Sequence, residues 1–355
     1  MADTPTPRFD PEALRTFTRA LFVAAGLAPD RACDVADVLL EGDLLGHTTH
    51  GLALAPLYLR ALRDGGLAAS GEPDVVADHG AAITWDGKLL PGPWLVRRAI
   101  AVATERLAQH PVVTVVLRRS HHIGCLQAYL APVVARGHMI LLTCSDPAHR
   151  SVAPFGGVEG VYSPNPIAAG FPTDEGPVLI DVSTSATAFG QVVRAAQAGR
   201  RLPGPWLVAP DGSSTDDAAA ALDERKAPLH PLGGEALGHK GFALGLIVEA
   251  LTNALGGHGR AETLERWSAS VFLQLIDPAR FGGAGAFAHE SGYLAQACRA
   301  ARVAPGRPPV RLPGDGALAR RAEALAHGVA LPPGAMPALI TLAQELAVPV
   351  PAPLP

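Results

Sequence analysis

Charge is what this chain has least of. Charged residues make up 17% of its 355 positions, against about 25% in typical soluble domains. The formal net charge is −4 and no lysine- or arginine-rich run appears, which argues against a general nucleic-acid binder. Cysteine is scarce as well. Cys33, Cys125, Cys144 and Cys298 lie far apart and never form a C-x-x-C pair. That spacing disfavours a disulfide framework and a cysteine-type zinc site, and it suits a reducing compartment. Long apolar runs are missing: the best, Phe242 to Val248, stops at Glu249, well short of a bilayer span. Met1 to Asp10 shows no basic segment followed by an apolar stretch, so no secretory leader is expected. These absences predict a cytoplasmic protein that binds neither nucleic acid nor membrane.

What is present is apolar material, turns and two textures. Hydrophobic residues reach 48%, with 38 glycines and 33 prolines, enough to bury a core and to punctuate it often. The first seventy-odd residues read as helices. Asp10-Pro11-Glu12 opens one, with Leu14, Phe17, Leu21 and Phe22 on a single face. A second starts near Asp30 and a third covers Pro56 to Leu62. After Pro73, β-rich runs alternate with helices. Strands are predicted at Ile83–Trp85, Val112–Leu117, Met139–Thr143, Ile167–Phe171, Val178–Val182, Val271–Ile276 and Val310–Leu312. Helices are predicted near Trp94–Gln109, Gly124–Arg136, Ser185–Ala198 and Gly238–Leu255, and again from Asp315 to Val348. The expected organisation is a helical domain, 1–75 joined by 315–355, flanking a β-containing domain, 76–314. A strand–helix alternation invites a Rossmann reading, yet no G-x-G-x-x-G motif follows a strand.

Four constellations carry possible chemistry. In Gly46-His47-Thr48-Thr49-His50-Gly51, imidazoles with an ordinary pKa of about 6.5 stand beside hydroxyls able to hold a tautomer. The plain alternative is a histidine that caps a helix end. Arg118-Arg119-Ser120-His121-His122-Ile123-Gly124 follows a Val- and Leu-rich strand and couples anion attraction to acid–base groups. A solvated basic turn is the alternative. Gly238-His239-Lys240-Gly241 opens an apolar helix, where a bound phosphate would offset the dipole acting on Lys240; a lysine that snorkels to solvent is the alternative. Asp181-Val182-Ser183-Thr184-Ser185 ends a strand and could bind a ribose or simply cap a helix.

Taken in order, these segments resemble the malate/L-lactate dehydrogenase type-2 family, the non-Rossmann NAD(P)-dependent group that includes ureidoglycolate and sulfolactate dehydrogenases, diketogulonate reductase and cyclic ketimine reductases. The similarity also runs through Glu41-Gly42-Asp43, Ala153-Pro154, Gly156-Gly157, Asn165-Pro166-Ile167-Ala168, Pro231-Leu232-Gly233-Gly234, Ile276-Asp277-Pro278 and Leu312-Pro313-Gly314. The resemblance implies an α/β (α+β) fold with a mixed, mostly antiparallel sheet that binds NAD or NADP, and a homodimer acting on a small molecule. It implies His50 as the acid–base residue with Thr49 as its hydroxyl partner, and His122 as a second proton acceptor. Cofactor contacts would come from His121, His122, Ser145, Asp181, Val182, Ser183, His239, Lys240, Pro313 and Gly314, and substrate contacts from Arg118, Arg119, His47 and Asn165. No metal is implied.

The chain departs from the family's pattern at telling places. Leu54 stands where many members carry a carboxylate-binding arginine, and Gln191 where ketimine reductases carry an aspartate. Either Arg118 or Arg119 supplies the missing cation, or the substrate differs. The leading expectation is a dehydrogenase of 2-hydroxy and 2-oxo acids. The alternatives are a cyclic ketimine reductase, a catalytically silent cofactor binder, and a zinc hydrolase using His47, His50 and His121 or His122.

Overall fold

The computed structural model describes residues 7–262, 264 and 266–355; the Met1–Thr6 part of the leader reading lies outside them. A two-residue strand, β1 (Arg8–Phe9), precedes α1 (Pro11–Ala24) and α2 (Pro29–Leu45). Asp10 caps α1 by accepting the Ala13 amide at 2.8 Å, and Gly46 ends α2 at a left-handed φ of 86° that only glycine adopts without strain. Two 3-10 turns, Thr48–His50 and Leu52–Leu54, lead into α3 (Ala55–Arg63). Then come β2 (Asp74–Asp78), β3 (Ala82–Asp86), α4 (Gly92–Arg106), β4 (Val112–Ser120), α5 (Leu130–Val134) and β5 (Met139–Ser145). They are followed by β6 (Ile167–Phe171), β7 (Val178–Val182), α6 (Phe189–Gln197) and a hairpin of β8 (Leu207–Val208) and β9 (Ser214–Thr215). The chain closes with α7 (Gly234–Glu249), β10 (Ala269–Ile276), α8 (Ala284–Ala300), α9 (Asp315–His327), β11 (Val329–Ala330) and α10 (Ala335–Glu345).

The central sheet has seven strands in the order β2-β3-β4-β10-β5-β6-β7. Only β3 and β4 run parallel; the other neighbours are antiparallel. This is the mixed, mostly antiparallel sheet expected. β10 lies at its centre, paired along its length with β4 and β5, and Val271, Leu273 and Leu275 are fully buried against Leu95 and Ala99 of α4. A second core joins Leu14, Phe17 and Leu21 of α1 to Leu339 and Ala343 of α10, and β1 pairs antiparallel with β11. The two ends of the chain therefore share one apolar layer.

Several predicted elements differ. Val310–Leu312 forms no strand; it is flanked by prolines that cannot donate to a ladder, and Pro313 instead accepts the Leu179 amide at 3.1 Å. The stretch Gly124–Arg136 breaks into a 3-10 turn, Leu126–Tyr129, and the short α5, because Gly124 is left-handed at 71° and Pro132 lacks an N–H. α7 starts four residues earlier than predicted, after Gly233 at a φ of 101°. The strands β2, β8 and β9 and the helix α8 went unpredicted; α8 buries only Gly292 and Ala295, so it shows no apolar stripe to read.

Candidate active site

A cavity of about 600 Å³ opens where the turn after α2, the loop after β4, the ends of β5 and β7 and the start of α6 converge. Its imidazole wall is built by the tight turn at the end of α2. Gly51 is required there, since a Cβ would lie 2.2 Å from the Asp43 carboxylate, which accepts the Leu52 amide at 2.7 Å. Burial pushes the Asp43 carboxyl up to about 7, against the pull of that amide and of Arg194. Arg194 reaches over from α6, donating to Thr48 Oγ1 at 2.7 Å and to the Thr48 carbonyl. The two elements touch closely, for a Cβ on Gly190 would sit 3.2 Å from Thr49. Between them His50 Nδ1 meets Thr49 Oγ1 at 2.9 Å. Desolvation, then His47, then Arg194 lower the His50 pKa to about 4, so the ring is neutral at physiological pH.

His122 faces His50 with ring centroids 5.7 Å apart and planes 18° from parallel. Its Nδ1 accepts the Gly124 amide at 3.2 Å and contacts Tyr58 Oη at 2.7 Å. The Tyr58 hydroxyl also lies 3.1 Å from the His122 carbonyl. An amide can only donate, so the Gly124 contact fits an unprotonated Nδ1 and a neutral ring with its proton on Nε2. Trp267 stacks on the same ring at 4.6 Å. Burial, with the neighbouring His50 and His121, drives the His122 pKa well below the usual range. His121 points away into a fully buried niche against Tyr58 and Trp267, with neither ring nitrogen hydrogen-bonded. Burial lowers its pKa to about 4.

Behind the floor that Ser145, Ser163 and Asn165 give the cavity lies a layer of the opposite kind. Glu249, at the end of α7, accepts Ser145 Oγ, Asn165 Nδ2 and Arg260 at 2.8 Å each, and Asn253 Nδ2 at 2.6 Å. Arg260 also donates to the carbonyls of Asp146, Pro147 and His149. Burial alone would raise the Glu249 carboxyl; Arg260 and the two amides outweigh it and hold it below the usual value. Beside this floor Asp181 Oδ2 accepts the Gln127 amide at 2.9 Å and the Cys125 thiol at 3.7 Å, and Gln127 Oε1 bonds His47 Nε2 at 2.7 Å. Donor atoms of His47, Cys125 and Asp181 lie within 4.8 Å of one another. The trio suggested for a zinc hydrolase is not the one that gathers: His47 joins Cys125 and Asp181 rather than His50 and His122.

Of the sequence-derived site residues, His47, Thr49, His50, His122, Ser145, Asn165, Asp181 and Ser183 line the cavity. Ser145 and Asn165 are committed to Glu249 behind the floor. His121 stands behind the wall. Arg118 and Arg119 do not reach the cavity, because both pair with the buried Asp86, at 3.1 and 2.7 Å. His239 and Lys240 are exposed outside it; with α7 beginning at Gly234, Lys240 lies past the first turn and away from the free amides that motivated a phosphate site. Val182 is exposed, and Pro313 and Gly314 pack along β7 before α9. Ser183 and Ser185 cap no helix, since α6 starts after Ala188 without a side-chain cap. Sequence reading missed Asp43, Tyr58, Arg194, Glu249, Arg260 and Trp267; Tyr58 and Arg194 meet partners 64 and 146 residues away, and only the unbroken Glu41-Gly42-Asp43 segment offered a signal.

The sequence pattern of the malate/L-lactate dehydrogenase family matches residues 9–339. The chain is 32% identical over 345 residues to an L-lactate dehydrogenase of Cupriavidus necator, covering 95% of this chain and 97% of that one. It is 32% identical to a Δ(1)-pyrroline-2-carboxylate/Δ(1)-piperideine-2-carboxylate reductase of Pseudomonas syringae pv. tomato, over 93% and 94% of the two chains. The solved sulfolactate dehydrogenase of Methanocaldococcus jannaschii superposes with a TM-score of 0.85 at 26% identity, covering 97% of this chain and 98% of that one. The chain therefore belongs to the malate/L-lactate dehydrogenase family, and it is an oxidoreductase that uses NAD or NADP.

Proposed function

We propose that this family member interconverts a 2-hydroxy acid and its 2-oxo acid in the cavity between His50 and His122, with unequal work for the two histidines. The observation that carries the reading is the Gly124 amide on His122 Nδ1. With its proton fixed on Nε2, neutral His122 has no lone pair to offer at that nitrogen and serves as a hydrogen-bond donor to the substrate oxygen. His50 is free of that constraint. With Nδ1–H donated to Thr49 Oγ1, its Nε2 is the base that takes the hydroxyl proton in oxidation and returns it in reduction. When bound, the nicotinamide cofactor supplies the hydride chemistry. A cavity of about 600 Å³ lies within the range of about 300–1,000 Å³ usual for such sites. We assign the nicotinamide end to the part of the lining formed by Ser183, Asp181 and Gln191.

The chain also exposes apolar side chains on α7 and α8: Leu246 and Ile247 are half exposed, and Tyr293 and Leu294 about two-thirds exposed. We assign this face to the second copy of a homodimer, which sedimentation at equilibrium tests. The four cysteines are free, as suits a reducing cytoplasm. Among the described residues no helix is long and apolar enough to cross a membrane.

Nicotinamide absorbance with a panel of oxo acids tests the assignment. His50→Ala is expected to lower kcat/KM by about 10²–10⁴-fold while leaving cofactor affinity intact. His122→Ala should lose less. Undiminished turnover in His50→Ala removes His50 from the reaction.

A further inference from the structure

The cavity that holds the proposed reaction has no permanent cation on its walls. None of the chain's lysines or arginines is among its lining residues, and the undescribed positions contain neither. Of its histidines, His50 is lowered to about 4 and burial pushes His122 and His149 below their ordinary value, while His47 is tied through Nε2 to Gln127 Oε1 at 2.7 Å. The lining carboxyls are Asp146, raised by burial to about 6, and Asp181, also raised by burial. Ionised, either would repel an anion. Beside the His50–His122 pair the wall is apolar. Trp267 covers one face of His122, Leu54 follows His50 by one turn, and Leu57 is 45% exposed on α3. Leu126 and Phe189 line the same space. Arg194 is the cation whose field reaches His50, and it does so from behind Thr48.

We propose that the substrate carries one carboxylate and an apolar, branched or aromatic substituent, and that Leu54, Leu57 and Trp267 select it by rejecting a second anionic group. One carboxylate lies in the field of Arg194. A second would be stripped of water against leucine and indole with no partner, which is strongly unfavourable, whereas an apolar chain gains from the same surface. This inference rests on the hydroxy-acid oxidoreductase reading.

The test is kcat/KM for reduction of 2-oxoisocaproate, pyruvate, oxaloacetate and sulfopyruvate by the full-length enzyme, with NADH and with NADPH. The branched acid is expected to exceed pyruvate by about 10-fold or more, and to exceed both dianions by about 100-fold or more. Leu54→Arg and Leu57→Arg should each shift the oxaloacetate to 2-oxoisocaproate ratio upward by about 10-fold. Leu57 is exposed, so its variant gives a readout even if Leu54→Arg does not fold. A wild-type preference for oxaloacetate or sulfopyruvate overturns the proposal, as does a ratio unmoved in Leu57→Arg. Activity on none of the four acids removes the reading beneath it and the inference together, a result distinct from a reversed preference.

Discussion

Two regions around one cavity, the layer behind its floor and its imidazole wall, meet the same problem, burial of ionisable groups, and solve it in opposite ways. Behind the floor, Glu249 and Arg260 keep their charges because each is tied to the other and to amides, hydroxyls and carbonyls around them. On the wall His50 and His122, and behind it His121, have no counter-charge, and burial drives them neutral. Compensation marks scaffold. Its absence marks groups free to exchange a proton or to be ordered by what binds. The comparison separates ionisable residues gathered around one cavity, which cannot be told apart by proximity alone.

The comparison is easiest to break at the floor. Arg260→Leu leaves Glu249 buried without its cation and should cost about 3–5 kcal/mol of stability, read by urea unfolding; a loss below about 1 kcal/mol would show that the floor is not held by this pair. Next comes the turn beneath the wall. Gly51→Ala places a methyl against Asp43 and should cost about 1–3 kcal/mol, with turnover falling because His50 sits on that turn. Tyr58→Phe removes the hydroxyl that meets both His122 Nδ1 and the His122 carbonyl and should cost about 1 kcal/mol. It should leave the proton on Nε2, since Gly124 still donates to Nδ1.

A pH effect sharpens the contrast. His121 titrates at about 4 in the folded chain and near 6.5 when unfolded. The unfolded chain therefore binds more protons between those values, so stability falls as pH drops through that window. His121→Phe should flatten that slope. Asp43 acts in the other sense: its folded pKa of about 7 lies above the unfolded value, so its contribution fades as pH rises toward and past 7. Urea unfolding across pH 4 to 8 in His121→Phe and in Asp43→Asn separates the two.

Much of this was legible in the sequence because it is local. β6 and β7 appear with their predicted bounds, α1 begins at its capping aspartate, and the two histidine segments that face each other were both singled out. What stayed hidden is long-range pairing. Arg118 and Arg119 read as anion binders in the sequence, but Asp86, more than thirty residues earlier, takes both guanidinium groups. Arg194 looked like an ordinary helical residue until it met Thr48. The start of α7 depended on two glycines in left-handed conformation, and that four-residue shift moved Lys240 from a helix terminus to an exposed flank. No periodicity encodes such facts.

The central claim, that His50 is the free base and His122 a neutral donor with its proton on Nε2, is read most directly by nitrogen NMR of histidine-labelled protein, assigned with His50→Gln and His122→Gln. The account predicts a His122 ring that stays neutral, with Nε2 protonated, down to pH 5, and a His50 that gains its second proton only near pH 4. A His122 carrying its proton on Nδ1, or either ring charged at pH 6.5, would contradict it.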